Sequence, residues 1–151
     1  MDNPKLRIAN LQDIKYLTEL LGLLFMQEKE FKPDTQKQSK GIELILQNPV
    51  RGHILVAELE HEIVAMVNLL YLISTALGSK VAILEDMVVK PGHRNKGYGG
   101  LLINYAIEFA KSQNCKRITL LTDSDNEIAI RFYGSYGFIK SDMVPMRLLL
   151  T

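Results

Sequence analysis

The stretch "KPGHRNKGYGG", residues 90–100, decides how this chain is read. It holds four glycines, one proline and three formal positive charges, and no acidic side chain occurs from Met87 to Ile107. Lys90-Pro91-Gly92-His93 places proline second and glycine third, the pattern of a type II turn, whose third residue needs a positive φ. Such a turn ends a strand at Val89 and sends the chain toward a helix starting near Gly97 to Gly99. A helix N-terminus carries backbone N–H groups without partners and a partial positive charge. Glycines let an anion approach that backbone closely, and Arg94 can grip phosphate oxygens with a two-pronged hydrogen bond. The residues alone leave two readings, a diphosphate cradle or a surface turn with solvated cations.

Composition narrows the context. The chain has 151 residues, which predicts one domain over 1–151 able to build its own core. Its net charge of +1 argues against nucleic-acid binding through bulk charge, so the local cationic cluster carries more information. Cys115 is the only cysteine, which excludes an intrachain disulfide and suits a reducing cytoplasm. Residues 1–15 lack the apolar core of a signal peptide. The apolar run from Ile63 to Leu77 is interrupted by Asn68, Ser74 and Thr75 and is too short to span a bilayer. The expectation is a cytoplasmic protein with no membrane or nucleic-acid partner.

Around the cradle the pattern alternates. "KLRIA" (5–9) reads as a first strand and "NLQDIKYLTELLGLLF" as a helix, with Asn10 as N-cap and Asp13 in its first turn. Residues 28–41 read mainly as a loop, followed by a short helix over roughly 39–47. "HILVAELEHEIVAMVNLLYLI" (53–73) reads as two strands joined by a tight turn at Glu60-His61, and 79–89 as a third. A helix with Leu101, Leu102, Tyr105, Ala106 and Phe109 on one face follows, stopping at Asn114. Then come the strand "KRITLLT" and a helix with a stripe of Ala129, Phe132, Tyr133 and Tyr136. Two short strands, "FIKS" and "VPMRLLL", are expected to finish one mixed α/β domain.

Known phosphate motifs discriminate poorly. Gly92 and Gly97 have P-loop spacing, but Tyr98 and Gly99 stand where Lys and Ser/Thr are required. A dinucleotide fingerprint accommodates Gly97 and Gly99 yet meets Leu102 at its third glycine, with too little chain after it. That fingerprint stays as a rival reading.

"VVKPGHRNKGYGGLL" resembles the acetyl coenzyme A site of the GNAT N-acetyltransferases. Arg94-Asn95-Lys96-Gly97-Tyr98-Gly99 matches the family's Arg/Gln-x-x-Gly-x-Gly/Ala. "NEIAIRFYGSYGF" matches Asn-x-x-Ala-x-x-Phe-Tyr-x-x-x-Gly-Phe at Asn126, Ala129, Phe132, Tyr133, Gly137 and Phe138. The resemblance implies a central, mostly antiparallel mixed sheet of about seven strands flanked by about four helices. It implies acetyl-CoA as cosubstrate and transfer of its acetyl group to a primary amine in a ternary complex. The pyrophosphate would lie on Arg94, Asn95, Lys96, Gly97, Tyr98, Gly99 and Gly100. The pantetheine arm would pair with the backbone of Met87, Val88 and Val89 and with Asn126. Glu85 would be the general base and Tyr133 the acid that protonates the leaving thiolate.

Adjacent strand residues point to opposite faces, so Glu85 and Asp86 are not expected to act as a pair, and Asp86 is read as structural. Burial between Leu84 and Met87 would raise the pKa of Glu85. His53, His61 and His93 show no metal-ligand spacing, so no metal is expected. The acceptor is a small-molecule amine or a peptide amine, with Glu28, Glu30 and Glu85 leaning toward a cationic one. The terminal strand is apolar on both faces, which predicts a homodimer. A non-catalytic acyl-CoA sensor remains the alternative from another class.

Overall fold

The computed structural model describes residues 3–28 and 32–150, so the expectation placed on Glu30 lies outside it. The chain forms two compact units, residues 1–121 and 122–151.

The first unit is built on one sheet in the order β1-β2-β3-β4-β5. Its strands are β1 (Lys5–Ile8), β2 (Gly52–Leu59), β3 (Glu62–Ser74), β4 (Ser79–Val89) and β5 (Ile118–Leu120). The first four pair antiparallel, and β5 joins β4 in parallel. The helices of this unit are α1 (Ile14–Phe25), α2 (Thr35–Leu46) and α3 (Tyr98–Ser112).

Local chemistry explains most of these boundaries. Asn10 closes a capping box: its side chain caps a 3-10 turn over Leu11–Asp13, and Asp13 Oδ2 accepts the Asn10 amide at 2.8 Å. Arg7 grips Asp13 with two hydrogen bonds of 2.8 and 3.0 Å and also reaches Glu58 on β2. Burial alone would raise the Asp13 pKa, but Arg7 and the Asn10 amide hold it below the usual carboxylate value. At the β2–β3 turn Glu60 and His61 both take positive φ, 50° and 67°, as a two-residue hairpin requires. Helix α2 starts at Thr35, earlier than the expected 39, because Asp34 accepts the Lys37 amide at 3.1 Å and caps it.

Strand alternation sorts the core into two layers. Ile54 and Val56 of β2 join Leu17, Leu20, Leu21 and Ile42 of α1 and α2 on one face. His53 points the other way, bonding Tyr71 at 2.6 Å and meeting Phe109 of α3 with ring centroids 4.9 Å apart. On α3 the buried positions are Tyr98, Leu102, Ile103, Ala106 and Ala110. Leu101, expected on that apolar face, is 44% exposed.

The second unit holds α4 (Glu127–Gly134), capped by Asn126, whose side chain accepts the Ala129 amide at 3.0 Å. Phe132, Tyr133, Tyr136 and Phe138 pack on one another with centroids 5.1 to 5.7 Å apart. Gly137 at φ 99° turns the chain after the helix. The strands expected at 138–141 and 144–150 do not form: neither segment pairs in the sheet of the described residues. Local β-propensity is not enough, because a strand exists only with a ladder partner. The mixed α/β class and the four helices stand as expected, while the sheet has five strands rather than about seven.

Candidate acyl-transfer site

Two features of β4 build the site. The first is a bulge. Met66 pairs with Val88 and Asn68 with Glu85, so Val67 alone faces Asp86 and Met87. The extra residue is accommodated at Asp86, which takes φ 55°, a left-handed conformation that aspartate tolerates better than most side chains. The second is an unpaired edge. Pairing with β5 stops at Leu84↔Leu120, yet β4 runs on to Val89. Among the described residues, its backbone from Glu85 onward has a strand partner only on the β3 side.

The bulge overturns the simple alternation expected for the two carboxylates. Glu85 is exposed, where partial burial was expected, because the strand turns at Asp86 and leaves it outside. Asp86 is the half-buried member, and its Oδ2 accepts the Asn68 amide at 2.6 Å. Burial first, and then the charge of Glu85, push the Asp86 carboxyl up to about 6, against the opposing Asn68 hydrogen bond. Glu28, at the end of the α1 segment, raises it further. The chain therefore brings Glu28, Glu85 and Asp86 into one electrostatic neighbourhood. Asp86, read as structural from the sequence, has Asn68 as its partner; that pairing depends on register, for which the sequence carries no local signal.

Past Val89 the chain makes the expected turn. His93 N–H donates to Lys90 O at 3.0 Å and Gly92 sits at φ 89°. Lys90 is held by Glu62 at 2.5 Å and the Arg94 Nε donates to Val89 O at 3.0 Å. That bond orients the guanidinium beside the strand end and engages the Val89 carbonyl. His93 is half-buried against Tyr98, and its Nδ1 makes no hydrogen bond among the described residues. Gly97, at φ 83°, is the N-cap of α3 and supplies no side-chain cap. Nothing stands within 4 Å of the position a Cβ would occupy there, so the backbone can be approached closely. Arg94, Asn95 and Lys96 are exposed around this helix start, Tyr98 is buried beneath it, and Gly99 and Gly100 form its first turn. These groups fit the pyrophosphate of a coenzyme: open amides, a partial positive charge and full cations.

In the second unit Tyr133 is half-buried, and burial pushes its phenol up to about 12. It stays protonated near neutrality and can donate a proton. Asn126 Oδ1 is engaged as the α4 cap. A separate cavity of about 350 Å³ lies by Tyr16, Glu19, Leu23, Met26, Glu62 and Lys90, and none of the catalytic candidates lines it. Among the described residues no cluster of metal-ligating side chains occurs and no helix is long and apolar enough to cross a membrane.

With this geometry, similarity to known proteins is specific. The Acetyltransferase (GNAT) family model matches residues 15–138. The uncharacterized N-acetyltransferase YhfO of Bacillus subtilis (strain 168) is 31% identical over 118 residues, covering 76% of this chain and 78% of that protein. Streptothricin acetyltransferase of Streptomyces lavendulae matches more locally, 38% identical over 55 residues, 36% of this chain and 29% of that protein. Among solved structures, a Clostridium difficile 630 protein described as a possible acetyltransferase superposes with a TM-score of 0.89 at 18% identity, covering 99% of both chains. The bulged strand, the cationic glycine turn and these similarities converge: the chain belongs to the GNAT family of N-acetyltransferases.

Proposed function

We propose that this enzyme moves the acetyl group of acetyl coenzyme A to a primary amine by direct transfer in a ternary complex. The observation that carries the reading is the course of β4. It outruns its last pair with β5 at Leu84, then leads through a type II turn into an uncapped, cationic helix start. An extended arm bearing amides can add along the β4 edge at Met87, Val88 and Val89, next to the Arg94 contact with Val89 O. The diphosphate then meets Arg94, Asn95, Lys96 and the amides of Gly97, Tyr98, Gly99 and Gly100. Asn126 reaches the arm with its amide nitrogen while its oxygen caps α4. A backbone N–H of the bulged segment serves the thioester oxygen as charge develops there.

In the reaction a carboxylate takes a proton from the ammonium. The amine nitrogen then bonds to the thioester carbon and the C–S bond breaks; Tyr133 gives its proton to the departing sulfur, and the second proton shed by the nitrogen as it becomes an amide returns Tyr133 to its phenol, directly or through solvent. Glu85 is the base that the family resemblance implies. A second reading, Asp86 as base, has its own support: its carboxyl is desolvated and its proton affinity lies close to neutrality. The mutual influence of Glu28, Glu85 and Asp86 favours a cationic acceptor, a small-molecule amine or a peptide amine, and the single cysteine, Cys115, suits a reaction in the cytoplasm. The test is release of free coenzyme A thiol across a panel of amines, compared with acetyl-CoA binding alone. Amine-dependent thiol release supports the enzyme; binding without release from any amine supports a non-catalytic acyl-CoA sensor instead.

A further inference from the structure

Asn68 lies on β3 opposite the β4 bulge and is 2% exposed, the most buried polar side chain among the described residues. Its strand partner Ile54 and its same-face neighbour Met66 are fully buried with α1 and α2, so its surroundings belong to the first unit. Two details of its amide are out of the ordinary. With Nδ2 as donor to Asp86 Oδ2 the separation is 2.6 Å, shorter than the ~2.7–3.2 Å of an N–H···O bond and typical of O–H···O. The Oδ1 atom is buried and has no hydrogen-bond partner among the described residues. A bare buried acceptor is costly, and the donor it lacks is the O–H of a protonated carboxyl. Turning the amide over leads to the same group, because two oxygens 2.6 Å apart need a proton between them. The electrostatics agree. Glu85 on the same strand and Glu28 at the end of the α1 segment both act on Asp86 as anions, and β3 faces the bulge with uncharged Val67. Together with burial these charges push the carboxyl up to about 6.

We propose that Asn68 is a positioning residue that holds Asp86 as a neutral acid, its amide oxygen accepting the acid O–H while its amide N–H donates to the other carboxyl oxygen. Ionised Asp86 leaves Asn68 with one bond and one bare acceptor. Protonated Asp86 satisfies both amide atoms, so the amide favours the proton. The empty site then avoids three anions side by side. When a cationic amine arrives, its charge takes over from the proton: the Asp86 O–H bond breaks, the proton passes to solvent, and the carboxylate faces the ammonium. Asn68 thereby sets the pH above which the site is ready for a cationic acceptor. This last step rests on the acyl-transfer reading; the acid–amide pair itself does not.

The test is a magnetic-resonance pH titration of the protein labelled with carbon-13 at its aspartate carboxyls, without coenzyme or amine. Asp86 is assigned by the signal that Asp86→Asn removes. Its midpoint is compared in the wild type and in Asn68→Thr, which is close in volume, suits a strand and makes a single bond with either form of the acid. The midpoint should fall by about one pH unit in the variant. If Asn68 served only as a donor to the carboxylate, its replacement would leave the midpoint in place or raise it. An unchanged or raised midpoint would therefore overturn the proposal, as would a wild-type Asp86 that stays ionised from pH 8 down to pH 4. Asn68→Ser gives the same readout should threonine disturb the fold, which circular dichroism reports. Because no substrate is present, loss of the acid–amide pair and failure of acyl transfer are separate results.

Discussion

Asp86→Asn should make the protein more stable at pH 8 and leave it nearly unchanged at pH 4. An aspartate normally titrates near 3.8, and Asp86 is pushed up to about 6. Ionising it in the folded state therefore costs about 3 kcal/mol more than in the unfolded chain, an upper bound because the side chain is only partly removed from water. The sign follows from proton counts. Between about pH 4 and 6 the folded protein holds a proton that the unfolded chain has released. Wild-type stability falls as pH rises through that window, and the full cost is present above it. Asparagine removes the charge, still accepts the Asn68 amide now donated at 2.6 Å, and tolerates the φ of 55° at least as well as aspartate. Urea denaturation of both proteins from pH 4 to pH 8 measures the difference. The expected gain is ~1–3 kcal/mol at pH 8, shrinking to within ~0.5 kcal/mol at pH 4. A variant destabilised equally at both ends would refute the desolvation argument, because a lost hydrogen bond does not follow the titration of a buried acid.

Other outcomes follow from the same geometry. Glu85→Gln should lower kcat/KM by ~10²–10⁴ at pH 7 and partly recover at high pH, where free amine is abundant; near-normal turnover, with the loss appearing in Asp86→Asn, would transfer the base to Asp86. Tyr133→Phe should reduce kcat by about 10²-fold with the KM for acetyl-CoA unchanged, read by steady-state thiol release. Leu17→Ala removes a fully buried side chain at the contact of α1 with the sheet and should cost ~2–5 kcal/mol in urea denaturation, with activity per folded molecule retained.

The sequence announced those features that are set within a few residues. Pro91-Gly92 specifies its turn, Asn10 and Asp13 their cap, and Glu60-His61 a hairpin. The glycine-rich helix start at 97–100 is likewise readable from backbone permissiveness and charge. Features set by partners distant in the chain were hidden. The bulge at Asp86 arises from how β4 is fitted between its register with Asn68 and that with Met66. No glycine marks it, because aspartate can adopt the required φ. The apolar neighbours Leu84 and Met87 suggested a partly desolvated Glu85, but it is Asp86 that the bulge buries. The missing strands at 138–141 and 144–150 fail for a related reason: their residues favour extended backbone, but a ladder partner cannot be read from the segment itself. Asp34 as a cap was visible in principle, one residue after Pro33, and would have placed the start of α2 correctly.

The central claim is that the turn and helix start at 90–100 hold the coenzyme pyrophosphate. Calorimetric titration of acetyl-CoA into wild-type protein and Arg94→Ala tests it most directly. Arg94 is exposed beside the α3 N-terminus and fixed by its bond to Val89 O at 3.0 Å. Its loss would remove the proposed two-pronged contact to phosphate and leave the core untouched. Affinity should fall by about tenfold or more in the variant, the ~1.5–3 kcal/mol of a charge-assisted hydrogen bond, and a nicotinamide dinucleotide should bind neither protein. Equal acetyl-CoA affinity in the two proteins, or tight binding of the dinucleotide, would contradict the assignment.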